Sequence, residues 1–417
     1  MTLDLDGRCL LVGGLSRLHD PLCAAALRGV GIPSLTLHRP TNTGLQLARA
    51  HGHHGQCNPP HYLAGAILEQ ARDSGPGFTD RYAWLTVGSC GPCRLAAFAL
   101  EYQRVLRGAG LGNLPIIPLD QLSFVQGDGP LPAAALRALA TALVLGDVLT
   151  TLGHRWRPYA EDPEEVEALL RSAVAALSEA LEQGALIEPV LRVLRESSRG
   201  LALDHSRVLP RLLMVGEPWT TLADGDPSYD LARRLELFGA DVDCPKVIDW
   251  LRYRLHEEQR HLDIGRTAPS PERRRALEAS DGALCEAWSH LAAQVGLPER
   301  LRDPAEMLAA AAPHYPEDVC GGSGALEVGR ALCAVRDGRV DLVVSIKPFG
   351  CLPSSAISDG ILSVLLRARG VRFLVIETTG SADANIESRL EMALHSATLA
   401  ALDESARRSA ASTGANA

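Results

Sequence analysis

Arg8-Cys-Leu-Leu-Val-Gly-Gly14 is a short apolar run closing on two glycines, and the same kind of run returns along the chain. Ile32 to His38, Tyr82-Ala-Trp-Leu-Thr-Val-Gly88 and Pro115-Ile-Ile-Pro-Leu-Asp120 follow it, separated by amphipathic stretches near 20–30, 60–73, 92–109 and 131–151. Alternating strands and helices predict a parallel sheet covered on both faces, since parallel neighbours need a crossover that is usually helical. Residues 162–198 then read as helices alone, with acidic Glu161-Asp-Pro-Glu-Glu165 suited to a helix N-terminus.

The rhythm restarts at Arg211-Leu-Leu-Met-Val-Gly-Glu217 and continues through Ala240 to Pro245. Several helices between 246 and 312 come next, then Asp341-Leu-Val-Val-Ser-Ile-Lys347, a helix near 356–369, Val371-Arg-Phe-Leu-Val-Ile-Glu377 and a last helix to about 403. The expected architecture is therefore α/β, with two Rossmann-like parallel-sheet domains joined by a helical segment. The expected boundaries are 1–152 for the first α/β domain, 153–205 for the helical connection and 206–403 for the second α/β domain. Residues 404–417, small and polar, read as a disordered tail.

With 417 residues, 46% of them hydrophobic, the chain can bury a large core and is long enough for two domains. A formal charge of −9 offers no basic surface for nucleic acid, and no apolar run is long enough to suggest a membrane span. The first apolar run is too short for a signal peptide, so a cytoplasmic protein is expected. Of the 41 basic residues only Lys246 and Lys347 are lysine, which points to codon bias rather than to arginine chemistry.

Ten cysteines in such a chain argue for metal or redox chemistry rather than for disulfides. In open α/β sheets ligands bind beyond the carboxyl ends of the strands, and cysteines stand there repeatedly. Cys90-Gly-Pro-Cys93 follows the strand ending at Val87, Cys351 follows the strand ending at Lys347, and Cys57 lies in the loop Gly55-Gln-Cys-Asn-Pro-Pro60. Each precedes a helix whose free N–H groups favour a thiolate. Cys320, in Val319-Cys-Gly-Gly-Ser-Gly324, has a similar setting, whereas Cys9, Cys23, Cys244, Cys285 and Cys333 lie in apolar strands or helices and read as small core residues.

The tetrad Cys90 to Cys93 also has the form of a thioredoxin dithiol, and a CxxC pair serves zinc and iron–sulfur ligation as well. His51, His53, His54 and His61 crowd around Cys57, but adjacent His53 and His54 point apart on any regular backbone, which disfavours zinc. Gly321-Gly-Ser-Gly324 is a phosphate-cradle candidate without the lysine of a Walker motif and without a preceding strand. The second class of reading is thus a CxxC thiol–disulfide or zinc-stabilised binding protein. Glu217, Ser354 and Ser355 stand near strand ends, with capping as their ordinary role.

Taken in order, Gln56-Cys57-Asn58-Pro59-Pro60, Cys90-Gly-Pro-Cys-Arg94, His154-Arg-Trp-Arg-Pro-Tyr159, Met214-Val-Gly-Glu217, Gly324-Ala-Leu-Glu-Val-Gly329 and Lys347-Pro-Phe-Gly-Cys-Leu-Pro353 resemble the 2-hydroxyacyl-CoA dehydratase-like proteins, especially their activase-associated branch. The resemblance runs over residues 8–403. It implies a [4Fe-4S] cluster between two Rossmann-like domains, held by Cys57, Cys90 and Cys351, with Cys93 as the alternative to Cys90. In related proteins the cofactor is a double-cubane cluster, whose extra ligands here would be Cys93, Cys320 and Cys333. It also implies a separately encoded ATPase activase as electron donor, and an acyl-CoA substrate for a dehydratase-like step. A homodimer or heterodimer is expected. Departures from the family lie in Gly55-Gln56 and Pro59-Pro60 around the first cysteine, and in Leu95, where the family has an aromatic residue.

Overall fold

The computed structural model describes residues 5–88, 93–120, 129–268, 270–298, 300–316, 319, 321–338, 340–381 and 384–414. It is an α/β protein with two four-stranded, wholly parallel sheets. The first contains β1 (Cys9–Val12), β2 (Ser34–Thr36), β3 (Tyr82–Gly88) and β4 (Ile116–Asp120), in the order β2-β1-β3-β4. The second contains β5 (Arg211–Gly216), β6 (Asp241–Asp243), β7 (Leu342–Pro348) and β8 (Arg372–Thr378), in the order β6-β5-β7-β8. All eight lie within a residue or two of the runs read from the sequence.

Alternation along the strands sends side chains to both covered faces, as a buried parallel sheet requires. Leu10, Val12, Ala83 and Leu85 join one core, and Leu11 and Trp84 the core on the opposite face. In the second lobe Leu213, Val215 and Val343 face one way, and Leu212, Met214, Leu342, Val344 and Ile346 the other. Order β2-β1-β3-β4 places the first lobe's topological switch between β1 and β3, and the second lobe repeats this with β5 and β7. Ligand crevices are expected at the carboxyl ends of those four strands.

The largest core crosses the boundaries read from the sequence. Trp288, Leu291 and Ala292 of the helix Pro271–Gln294 pack with Leu145, Val148 and Leu149 of the helix Ala133–Trp156. Helices expected in the second domain thus cover the first. Ala133–Trp156 is, among the described residues, the one helix long and apolar enough to cross a membrane, and its middle is enclosed by this core. The connection is helical as expected, with Pro163–Glu182 started by Asp162, whose carboxylate accepts the Glu164 N–H, and Glu188–Ser198 after it.

Two helix assignments differ from the sequence reading. Asn42–Arg49 is an additional helix, started by the Thr41 hydroxyl accepting the Gly44 N–H at 2.9 Å. The final helix runs Ala384–Gly414, well past 403 and through most of the segment read as a tail. Ser405-Ala-Arg-Arg-Ser-Ala-Ala is polar, but its alanines and arginines are good helix formers that extend an existing helix without a new nucleus.

Candidate functional site

The loops after β1, β3, β5 and β7 face one another across a cavity of about 260 Å³ between the lobes. Gly13 and Gly14 reach it from β1, Cys93 and Arg94 from β3, Glu217 and Trp219 from β5, and Gly350 and Cys351 from β7. Cys57, the residue before the helix Asn58–Ser74, completes the wall. Sequence reasoning placed the tetrad, Cys57 and Cys351 at separate strand or helix ends, and the fold brings Cys57, Cys93 and Cys351 to one cavity. Cys90 and Cys320 lie outside the described residues.

Inter-lobe hydrogen bonds set this geometry. Arg94 Nη1 donates to the Gly350 carbonyl at 2.5 Å, directly before Cys351. Gly350 has φ +83°, and a Cβ there would stand 3.0 Å from the same guanidinium nitrogen, so glycine is needed where the two loops meet. Asn58 Nδ2 donates to the Thr378 carbonyl at 2.7 Å, and Trp219 Nε1 to the Gly14 carbonyl at 2.6 Å. Cys57 is therefore seated at a helix start that is itself bonded to the opposite lobe.

Cys351 leads into a π-helical turn, Leu352–Ser358, a rare form that tends to mark functional positions. Ser354 and Ser355, read as caps, play another part. Ser354 Oγ donates to Glu327 Oε1 at 2.7 Å, Ser358 Oγ to Glu327 Oε2 at 2.5 Å and Ser323 Oγ to Glu327 Oε1 at 2.5 Å, while Ser355 Oγ donates to Glu377 Oε1 at 2.9 Å. The π turn sends Ser354 and Ser358 to the buried Glu327 and Ser355 to Glu377, which a helix cap would not do. Gly321 donates its amide to Glu257 Oε1 at 2.7 Å, so this part of the phosphate-cradle candidate is already occupied. Beneath, Lys347 is 0% exposed, ion-paired with Asp359 and donating to Ser345 Oγ at 3.1 Å. Burial pulls its ammonium down to about 8, against the opposing pull of Glu327 and Glu377.

The site is apolar, with Trp84, Phe98, Trp250 and Pro353 among its walls. Burial pushes all three thiols up: Cys57 strongly, with the nearby Glu217 and Cys351 adding to it, Cys351 to about 12, and Cys93 against an opposing backbone hydrogen bond from Leu95. Glu217 is also raised by burial, although its carboxylate caps Pro218–Leu222 by accepting the Trp219 and Thr220 N–H groups at 3.1 and 2.8 Å. The capping role read from the sequence holds, and the same carboxyl lines the cavity.

The histidines near Cys57 do not line it. His61 Nε2 pairs with Glu101 at 3.0 Å, and His53 Nδ1 accepts the Gly55 N–H at 3.1 Å. Among the described residues no three His, Cys, Asp or Glu side chains converge on a point that would hold a metal ion. Cys57, Cys93 and Cys351 bring thiol donors to one apolar cavity, the donor type of iron–sulfur and zinc sites alike.

Sequence reasoning missed Cys23, a further thiol on the cavity wall, and Asp20 beside it, which accepts the Gly14 and Leu15 N–H groups at 2.8 and 3.1 Å. All eight described cysteines are free. Cys333 sits within the helix Gly324–Arg336 and is not on the cavity wall, so it adds nothing to a second ligand set there. Cys9 and Cys285 are half-buried rather than fully buried.

The fold and site define a two-lobed parallel α/β protein with a thiol-lined cavity between its topological switch points. No family model matches the chain, and no curated protein matches it.

Proposed function

We propose that this chain is a cytoplasmic iron–sulfur redox protein of the 2-hydroxyacyl-CoA dehydratase and activase type. The observation that carries the reading is that Cys57, Cys93 and Cys351, from loops far apart in sequence and in both lobes, line one apolar cavity. Cys57 and Cys351 would hold a [4Fe-4S] cluster together with Cys90 or Cys93. When bound, the cluster supplies one-electron chemistry at low potential.

The chain's own residues support that chemistry. Trp84, Phe98 and Trp250 give the cavity apolar walls, the kind of surround that tunes a cluster's potential. Arg94 holds the Cys351 loop against the first lobe and brings a positive charge to a site whose thiolates are negative. Glu327, through Ser354 and Ser358, fixes the turn that begins at Cys351. In this reading a separately encoded ATP-hydrolysing activase delivers electrons, and the chain passes them on or carries out a dehydratase-like step on an acyl-CoA.

Purified without oxygen, the protein is expected to be brown and to contain about four irons and four sulfides per chain, with a paramagnetic signal on reduction. Stoichiometric zinc, or a Cys90–Cys93 dithiol titrating in a colourless protein, would overturn the proposal.

A further inference from the structure

Tyr102 stands on the helix Phe98–Gly108 and is 1% exposed. It packs in one buried cluster with Cys57, Trp84 and Phe98, and all four line the thiol-bearing cavity between the lobes. Its ring centroid lies 4.4 Å from that of Trp84 and 6.1 Å from that of Phe98, so contacts with two aromatic neighbours hold the ring in place.

Packing accounts for the ring and leaves the hydroxyl over. Tyr102 Oη is buried and makes no hydrogen bond among the described residues, Thr86 on the same wall included. A buried phenol normally finds a partner, because an unmade bond costs the hydration that was given up, and phenylalanine would fill this core without that cost. Other polar groups on the wall have partners within the protein. Asp20 and Glu217 accept backbone N–H groups, Ser323 donates to Glu327, and Arg94 donates to the Gly350 carbonyl. The Tyr102 hydroxyl is thus a donor kept for an acceptor that enters with the cavity's occupant.

We propose that Tyr102 donates a hydrogen bond to a sulfur of the cluster bound in this cavity, the Cys57 thiolate or a sulfide beside it, and so raises the cluster's reduction potential. The inference rests on the cluster reading given above. Cluster sulfurs become more negative when an electron is taken up, so a donor aimed at one of them holds the reduced form more strongly than the oxidised form. The proton stays on the phenol, and no bond is made or broken. Cys57 is the thiol that shares a packed cluster with Tyr102, which makes its end of the site the one the hydroxyl serves.

Tyr102→Phe removes the oxygen and keeps the ring. In the full chain without a cluster, the variant is expected to unfold in denaturant at a midpoint no lower than wild type, because the lost hydroxyl had no partner in the protein. Loaded anaerobically, it should keep the wild-type content of iron and sulfide. A redox titration followed by electron paramagnetic resonance should then show the reduction equilibrium moved about tenfold toward the oxidised form, a potential lower by about 59 mV for one electron. Tyr82→Phe is the matched control: Tyr82 packs against the same core but is not on the cavity wall, and its replacement should leave the potential where it is. A lower unfolding midpoint or a failure to fold would overturn the proposal, since the protein itself would then be satisfying the hydroxyl. An unshifted potential in a fully loaded Tyr102→Phe protein, or loss of its iron, would overturn it too and leave the cluster reading standing. A wild-type chain that takes up no iron would instead overturn the cluster reading, and this inference with it.

Discussion

On the proposed cluster assignment, replacing Cys351 by serine is expected to strip the anaerobically reconstituted protein of iron, to below about one-tenth of the wild-type content, because a thiolate is lost and an alcohol is a poor ligand for iron in a sulfide cluster. Among the described residues Cys351 is the one thiol that the second lobe brings to the cavity, since Cys23, Cys57 and Cys93 all belong to the first. Its loss leaves ligands on one wall only, and no nearby described cysteine on that lobe replaces it. Iron and sulfide per chain, with the visible absorbance of the cluster, measure the effect. Cys285→Ser is the matched control: that thiol lies on the helix Pro271–Gln294, away from the cavity, and its replacement should leave iron content unchanged. Cys93→Ser then separates the two members of the tetrad. Near-complete loading in that variant assigns the ligand to Cys90, and loss as deep as in Cys351→Ser assigns it to Cys93. Full iron in Cys351→Ser would remove the basis of the cluster assignment.

The strands were legible because parallel strands buried on both faces need nearly continuous apolar runs, and Leu-Leu-Val, Leu-Leu-Met-Val and Leu-Val-Val are such runs. The site was legible in part for a related reason: ligand residues follow strand ends, so Cys57, the tetrad and Cys351 could be singled out by position. What sequence could not supply was which distant pieces meet. Arg94 and Gly350 lie 256 positions apart, and neither flanks nor spacing announce that a guanidinium and a carbonyl meet. Trp288 could not be read as covering the first lobe, because an apolar helix face shows that it is buried but not against what. Ser354 and Ser355 were misread because a hydroxyl before a helix normally caps it, whereas a π turn aims them at Glu327 and Glu377. One signal was present and unused. In a chain where arginine replaces almost every lysine, Lys246 and Lys347 are both buried, at 7% and 0% exposure, where a compact ammonium fits and a guanidinium fork would not.

Asp147→Ala is expected to destabilise folding by about 3–5 kcal/mol, the scale for removing one partner of a buried charged network. Asp147 is 1% exposed, in the middle of the apolar helix Ala133–Trp156, where an uncompensated carboxylate would be costly. Its partners come from elsewhere in the chain: the N–H groups of Val247 and Ile248, both at 2.9 Å, and His19 Nε2 at 3.2 Å. The two amides are the unpaired first donors of the helix Val247–Asp263, so a carboxylate supplied by another helix does what a local cap would do and also faces the positive end of the helix dipole. Alanine leaves both amides and the buried His19 without that acceptor. Asp147→Asn keeps an acceptor for only one of the two amides, because Val247 and Ile248 bond different carboxylate oxygens, and sets its own NH2 against the other N–H, so it should also be clearly destabilising. Denaturant unfolding of the three proteins gives the ordering, with Glu182→Ala, which breaks only the exposed pair with Arg28, expected to leave the midpoint where it is. An Asp147→Ala midpoint equal to wild type would mean that the helix start finds another acceptor. The same substitution should loosen the cavity as well, because Trp250 and Leu251, which line it, are carried on the helix that Asp147 anchors.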